Sequence, residues 1–271
     1  MDSLVSRLGH SITSRLMIIN CDDLGVSHAA NIATYNAMTH GIATSATLMV
    51  PCPWAREAAD MFSGMNIGVH LTMTSEYRVY RWRGLTRGAS PHDQDGFLPA
   101  SAQSVLERIT KQDAHAECRA QIETALSWGL DITHLDTHMD IIWGRPDLFD
   151  VYLDLAAAFR IPIRMEATAA RCLQAAEHGV MFPDHFIYPW PRRTRDVFFE
   201  EVPRLAPGVT EIFAHPVIDG TELRAYDLAR FTDIRVHDAS CMTDPTVAGL
   251  LDQHGVRRIS FRELRTLQRA S

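Results

Sequence analysis

Apolar runs of strand length alternate along the chain with segments whose apolar residues recur every three or four positions. One such helical segment is the stripe between residues 148 and 159. Continuous apolar runs are typical of parallel strands that are covered on both faces. The seven runs that we predict as strands are Leu16–Asn20, Thr44–Val50, Ile67–Leu71, Ile132–Asp136, Ile161–Met165, Thr210–Ala214 and Val256–Phe261. Because strand and helix alternate with right-handed crossovers, we predict an α/β fold: a distorted (β/α) barrel of about seven parallel strands, in one domain over residues 1–271.

Two stretches, residues 73–104 and 171–194, lack clear periodicity. Long irregular segments in a compact domain are usually functional or disordered. The first stretch places Tyr77, Tyr80 and Trp82 among arginines, and this aromatic content favours ordered loops that cover a site. Aromatic and polar side chains together suit a sugar ring, so Tyr77 and Trp82 are candidate substrate contacts.

The segment LMIINCDDLGVSHAAN places two adjacent carboxylates, Asp22 and Asp23, directly after the first apolar run. Ser27 is a suitable N-cap for a following helix that ends near Gly41. The carboxylates therefore lie where the first strand gives way to a helix. Capping and solvation of the turn would also explain a single Asp there. Two neighbours favour a site, because α/β folds hold their chemistry at the carboxyl ends of their strands.

Histidines and carboxylates also occur at the ends of other predicted strands. GVHLT ends a strand with His70, THLDTHMD places three such residues at or past another strand end, and FAHP places His215 after a third. Histidine with carboxylate at such positions predicts a divalent metal site with open coordination positions. For single residues there are simpler interpretations: His70 alone would be a core histidine, and His134 a structural one. The three histidine and carboxylate residues counted in THLDTHMD are His134, Asp136 and His138.

Composition excludes several classes of partner. A formal net charge of −7 argues against nucleic acid or an anionic membrane. No run of about 18 apolar residues predicts a transmembrane helix, and the first 15 residues lack the apolar core of a signal peptide. Five widely spaced cysteines with no C-x-x-C fit reduced thiols in a cytoplasm. A single lysine among many arginines suggests a bacterial source with a GC-rich genome.

Several motifs in order along the chain resemble one known family, the YdjC-like carbohydrate deacetylases, also called the ChbG/HpnK family. NCDDLGVSHAAN resembles its N-A-D-D-F-G opening, GIATSATLMV its G-[VI]-x-T-S-T-S-L-M-V segment, and GVHLT its G-x-H-L. THLDTHMD resembles T-H-L-D-S-H-x-H, GVTEIFAHP resembles G-x-x-E-[LI]-x-x-H-P, and RISFREL resembles the closing motif. The resemblance covers residues 16 to 265 and implies a polysaccharide-deacetylase-like barrel that hydrolyses N-acetyl groups of amino sugars with a metal ion.

The resemblance also implies a role for each matching residue. Asp22 would be the general base that takes a proton from the metal-bound water, and His215 would protonate the leaving amine or stabilise the oxyanion. Arg164 would orient Asp22 or the substrate. Apart from the resemblance, His134 and Asp136 lie two residues apart on the same strand face, which makes both candidates to support the ligands from behind. The residues expected to bind the metal are Asp23, His70 and His138.

The chain departs from the family at several positions. Cys21 and Leu24 replace a common Ala and Phe, and the H-x-H-x-H run of members that act on chitin disaccharide is absent after His138. Asp140 stands where the next histidine would be. We expect Asp140 to contact the substrate, and the chitin-disaccharide specificity is not transferred.

Other functions are open at this point. Two nitrogens and one carboxylate favour Zn²⁺; Co, Ni, Fe(II), Mn and Mg are alternatives, and Mg is the ion often described for the family. A hydrolase or lyase of an ester, lactone or phosphate is possible on the same scaffold, with Arg83, Arg192 and Arg193 meeting an anionic group. A sugar-binding or regulatory protein without activity is the third hypothesis. The expected partners are a small carbohydrate and, by resemblance, a second copy of the chain in a homodimer.

Overall fold

The strands of the computed structural model, which describes residues 3–227 and 229–271, pair in parallel and form one sheet. Numbered along the chain, they are β1 Arg15–Leu24, β2 Ser45–Leu48, β3 Ile67–Leu71, β4 Leu135–Thr137, β5 His185–Ile187, β6 Gly208–Ala214 and β7 Val256–Arg258. The order across the sheet is β4-β3-β2-β1-β6-β5, and β7 pairs with β1. The architecture is a parallel-strand α/β half-barrel, which confirms the predicted fold class.

Helices connect the strands and cover the sheet. They are α1 Leu4–Arg7, α2 His28–Thr39, α3 Ala55–Met61, α4 Ala102–Arg108, α5 Lys111–Ser127, α6 Pro146–Phe159, α7 Ala169–Glu177, α8 Thr194–Glu201, α9 Thr221–Tyr226, α10 Ala229–Met242, α11 Pro245–Gln253 and α12 Phe261–Ala270, with 3₁₀ segments at His138–Gly144 and Val202–Arg204. Ser27 caps α2 by accepting a hydrogen bond from the Ala30 amide, as predicted. None of the helices in the described ranges is long and apolar enough to cross a membrane.

The central strand β1 determines where the two adjacent carboxylates point. It pairs with β6 over residues 15–21, with β7 over its first three residues, and with β2 near its end. The register with β2 shifts between Cys21 and Leu24, and Asp23 has a left-handed φ of 62°. Neighbouring side chains on a regular strand point to opposite faces, and an irregularity can re-aim one of them. Asp22 and Asp23 consequently both face the same cavity.

Two sequence predictions of secondary structure were wrong. Residues 161–165 do not form a strand of the sheet; Ile163 makes only an isolated bridge to Leu135. The strand at the edge of the sheet beside β6 is instead β5. The second error concerns residues 171–194, which the sequence predicted as irregular: this stretch contains β5 and most of α7. The run IPIRM is apolar because it is buried beside β4, and Pro162 has no amide hydrogen for a ladder.

The irregular segment after β3 is an ordered loop, as predicted, held mainly by the carboxylates of Glu117 and Asp93. Glu117 on α5 is fully buried and accepts hydrogen bonds from the backbone amides of Leu85 and Thr86. Arg81 donates to Asp93 and to the Leu98 carbonyl within the loop. These bonds compensate the buried backbone groups of a segment without regular structure. The loop is thereby fixed over the carboxyl ends of the strands.

Candidate active site

A cavity of about 650 Å³ opens at the carboxyl ends of the strands. It is lined by polar side chains from β1, β3, the end of β4 and the end of β6, and by aromatic side chains. Most of the residues predicted for the site meet here: Asp22, Asp23, His70, Tyr77, His138, Asp140, Arg164 and His215. The structure therefore brings these strand-end residues together at one cavity.

Three predicted ligand residues form a nearly equilateral triangle of donor atoms. Oδ1 of Asp23 lies 3.3 Å from Nε2 of His70 and 3.2 Å from Nδ1 of His138, and the two histidine nitrogens are 3.3 Å apart. Oδ1 of Asp23 is buried and accepts no hydrogen bond among the described residues. Tetrahedral ligands about 2.0–2.1 Å from a zinc ion stand about 3.3 Å from one another, so the triangle fits such an ion.

A carboxylate orients each histidine of this triangle from the far side of its ring. Nδ1 of His70 lies 2.6 Å from Asp136, and Nε2 of His138 lies 3.1 Å from Glu76. Burial opposes protonation, but Asp136 raises the pKa of His70 well above its usual value, and Glu76 with Asp23 raises that of His138 to about 9. Carboxylate partners behind metal-binding histidines fix the ring and its tautomer. The predicted supporting position of Asp136 agrees with this geometry.

Asp22 is held by a guanidinium fork. Nη1 and Nη2 of Arg164 donate to its two oxygens at 2.6 and 2.8 Å, and Asn20 donates to Oδ1 at 2.8 Å. Burial would raise the pKa of Asp22, but Arg164 outweighs it and lowers the pKa to about 2. Nε of the same arginine donates to Glu211, whose pKa burial raises to about 8. Asp22 is therefore ionised and fixed in orientation at neutral pH.

A second buried arginine, on α10, holds the other oxygen of Asp23, the candidate ligand. Nη1 of Arg235 lies 2.8 Å from Oδ2 of Asp23, and Nη2 donates to the Tyr77 hydroxyl at 3.2 Å. Burial opposes ionisation of Asp23, but Arg235 and the nearby histidines lower its pKa well below the usual value. Oδ1 is left to face the histidines. Tyr77, expected to contact substrate, lines the cavity and also links Arg235 to the covering loop.

His215 stands across from the triangle, at the end of β6. Its Nε2 lies 4.0 Å from Oδ2 of Asp23, its ring packs at 4.6 Å from Trp190, and its amide donates to Asp238. Burial lowers the pKa of His215 to about 4, with a further contribution from Arg235 against the opposing effect of Asp23. The imidazole is therefore neutral at pH 7.

Three predicted residues are not among the described residues that line the cavity: Trp82, His134 and Asp136, the last of which lies behind His70. Trp82 is 2% exposed, donates to the Thr74 carbonyl, and packs at 5.8 Å from Tyr77, so it supports the covering loop. His134 is fully buried and stacks on Phe261 at 3.8 Å, and burial lowers its pKa. The position of His134 matches its simpler interpretation as a core residue.

Charge balance in the network also suits a cation. Carboxylates outnumber the two buried guanidinium groups, and burying uncompensated charge is costly. Without a metal ion, His70 and His138 supply further positive charge, because their pKa values are raised; a divalent ion in the triangle would supply it instead. A second cluster, Asp22 with His70 and Asp136, has comparable spacing, but Arg164 already bonds both of its carboxylates. The triangle of Asp23, His70 and His138 is thus the better place for a divalent ion.

The arginines proposed to meet an anionic group lie elsewhere. Arg83 donates to the Gly96 carbonyl and covers the Phe97 ring, and Arg192 pairs with Glu200. The described residues that line the cavity include none of Arg83, Arg192 and Arg193. The observation that had favoured a phosphate substrate therefore loses its support.

Sequence reasoning missed four residues that complete the site. Glu211 had a signal: it is a charged residue inside an apolar run, four positions before His215. Glu76, Tyr188 and Arg235 lie on loops or a helix far from the strand motifs and gave no comparable signal.

Known proteins are similar to this chain over most of its length. A carbohydrate deacetylase of Thermus thermophilus is 34% identical over 234 residues, 82% of this chain and 84% of the relative. One from Geobacillus stearothermophilus is 30% identical over 253 residues, 92% of this chain and 98% of the relative. A solved structure from Enterococcus faecalis, named for a proposed cellobiose-phosphate cleavage activity, has a TM-score of 0.84 at 22% identity over 93% of this chain and 99% of its own, which shows a common fold. The family model described as YdjC-like protein matches residues 16–253, and the protein belongs to that family.

Proposed function

We propose that the protein is a metal-dependent carbohydrate deacetylase that hydrolyses the N-acetyl group of an amino sugar or small glycoside. The observation that carries the proposal is the triangle of Asp23, His70 and His138, open to a cavity beside a fixed carboxylate, Asp22. The carbohydrate deacetylase names of the two relatives support the reaction class.

The ligand set supports a zinc-like ion, because two imidazole nitrogens and one carboxylate oxygen suit Zn²⁺ better than Mg²⁺, which prefers oxygen. A divalent cation held there would lower the pKa of a water molecule and polarise the acetyl carbonyl. Asp136 and Glu76 keep the two imidazoles in the orientation that such an ion needs.

Asp22 is the proposed general base. Arg164 fixes its carboxylate at the cavity wall and holds its pKa near 2, so it is ionised throughout the physiological range. A carboxylate of such low pKa is a weak base, and it accepts a proton only from a water that has been acidified. The base therefore depends on the ligand set next to it.

His215 has two proposed roles, and its environment favours one of them. With a pKa near 4 it is neutral at pH 7 and has an N–H to offer. A neutral imidazole is a hydrogen-bond donor to a developing oxyanion before it is an acid. We assign His215 to oxyanion stabilisation first, and to protonation of the leaving amine only if catalysis delivers a proton to it.

The cavity supports a small carbohydrate as substrate. Polar groups such as Asp22 line the cavity together with the aromatic side chains of Trp190, Phe213 and Tyr188. Sites for small molecules commonly combine apolar walls with a few convergent polar groups.

The five cysteines are free thiols, which supports our inference of a reducing, cytoplasmic location.

Acetate release from N-acetylglucosamine oligosaccharides by zinc-loaded protein tests the proposal, with ester and phosphate substrates run in parallel. We expect acetate from the amide and a loss of about 10²–10⁴-fold in kcat for Asp22→Asn, which keeps the size of the side chain but removes the base. Full activity of Asp22→Asn would rule out the assigned base. Turnover of esters or phosphates alone would replace the proposed reaction.

A further inference from the structure

A hydrogen-bonded pair on the cavity wall has no part in the mechanism above. The Tyr188 hydroxyl donates to Oδ2 of Asp140 at 2.9 Å, and both residues line the cavity. Asp22, Arg164 and His70 line the same cavity. The pair therefore lies beside the reacting groups and is open to a bound substrate.

The surrounding structure holds this pair in place. Tyr188 packs edge-on against Phe213 at 5.2 Å, and Phe213 lies beneath the Arg164 guanidinium at 4.8 Å. On the other side, Met139 and Asp140 both have left-handed φ values, 55° and 54°. Side chains other than glycine seldom adopt this conformation, and it persists where surrounding contacts determine it. The backbone thus turns sharply after His138 and carries Asp140 into the cavity.

The pair presents hydrogen-bond acceptors to the cavity. The Tyr188 proton is committed to Asp140, so the carboxylate and the phenol oxygen have only lone pairs to offer. A substrate group bound there must donate a hydrogen bond, and the carboxylate disfavours an anionic group. Hydroxyls of a neutral sugar ring meet both conditions.

We propose that Asp140 and Tyr188 determine specificity by accepting a hydrogen bond from a hydroxyl of the sugar ring that bears the acetamide. The inference rests on the proposed deacetylase function and narrows its substrates to those with a free hydroxyl beside the pair. A hydrogen bond to a charged group is stronger than a neutral one, so its loss is expected to weaken binding about ten- to a hundred-fold.

Binding of N-acetylglucosamine and its singly deoxygenated analogues tests the inference by isothermal titration calorimetry. The host is zinc-loaded Asp22→Asn protein, in which the substrate stays intact. We expect this host, which retains Asp140, to bind one deoxy analogue at least ten-fold more weakly than the parent sugar. Adding Asp140→Ala should weaken binding of the parent sugar and abolish the discrimination between parent and analogue. Adding Tyr188→Phe should reduce that discrimination. Adding Asp154→Asn, an exposed carboxylate on α6, should leave both unchanged.

If the role of Asp140 were purely structural, Asp140→Ala would weaken the binding of all the sugars equally. Unchanged discrimination in that variant would therefore overturn the inference. So would a host that binds the parent and every deoxy analogue alike, or one that binds no N-acetylhexosamine. Acetate release by the wild type from any amide reports on the proposed function separately. Equal zinc content in all variants shows that the changes leave the ligand set intact.

Discussion

Replacing Arg164 by methionine should destabilise the protein strongly, because one buried guanidinium serves three buried carboxylates. It donates to Asp22 at 2.6 and 2.8 Å and to Glu211 at 2.7 Å, and its Nη1 lies 3.0 Å from Asp136. Removing one partner of a buried ion pair costs about 3–5 kcal/mol. Against a total stability of about 5–15 kcal/mol, this loss should be large and measurable.

The loss should depend on pH with a definite sign. In the wild type, the low pKa of Asp22 is a stabilising contribution that is present above its unfolded value and lost as pH falls toward 2. In Arg164→Met the same carboxylates are buried without a counter-charge, so their pKa values rise above the unfolded ones. The folded variant then binds more protons than the unfolded chain, and its stability falls as pH rises. We expect a smaller penalty at pH 5 than at pH 7.

Guanidinium chloride unfolding at the two pH values measures these free energies of unfolding. Arg164→Lys retains the charge without the planar fork, so it should cost less stability and still lower kcat by about ten-fold or more, since Asp22 loses its orientation. The matched control is Arg195→Met, which removes an exposed pair with Asp244 and should cost less than about 1 kcal/mol. An Arg164→Met protein as stable as the Arg195→Met control at pH 7 would refute this reasoning.

Three further predictions concern the partners of the site. Asp136→Asn should weaken zinc binding about 10–100-fold in a chelator competition assay, because His70 loses its orienting carboxylate; unchanged affinity would show that the contact is incidental. Glu211→Gln should retain metal and activity at pH 7. Because the pKa of Glu211 is raised to about 8, the wild type loses stability between its unfolded pKa and pH 8, so thermal scans should show a smaller loss in the variant from pH 5 to pH 8.5; equal losses would contradict the assignment of a neutral Glu211. His215→Ala should lower kcat by about 10²–10³-fold with full zinc content, and loss of zinc instead would make His215 a ligand.

The sequence predicted a barrel-like fold of parallel strands and the strand-end residues that meet at the cavity, because both follow from local patterns. A buried parallel strand needs a continuous apolar run, and the polar residues that end it must face the same edge of the sheet. The run IPIRM shows the limit of this rule: burial made it apolar, yet the strand beside β6 is the short His185–Ile187, which carries a polar first residue.

Partners that come from distant segments were not predictable from local patterns. Arg235 reaches Asp23 across 212 positions of the chain, and Tyr188 reaches Asp140 across 48. Nothing in the spacing of the strand motifs indicates which helix or loop will close over them. Trp82 illustrates the opposite error, since an aromatic residue in a covering loop was expected to face substrate but packs into the loop itself.

Metal analysis of purified protein is the most direct test of the central claim, that Asp23, His70 and His138 hold one divalent ion. After reconstitution with zinc and removal of excess ion, elemental analysis should find about one zinc per wild-type chain and a large loss in Asp23→Ala and His138→Ala. His178→Ala, which changes a histidine at the end of α7, should retain the wild-type amount. Equal zinc in the wild type and both ligand variants, or none in the wild type, would contradict the account.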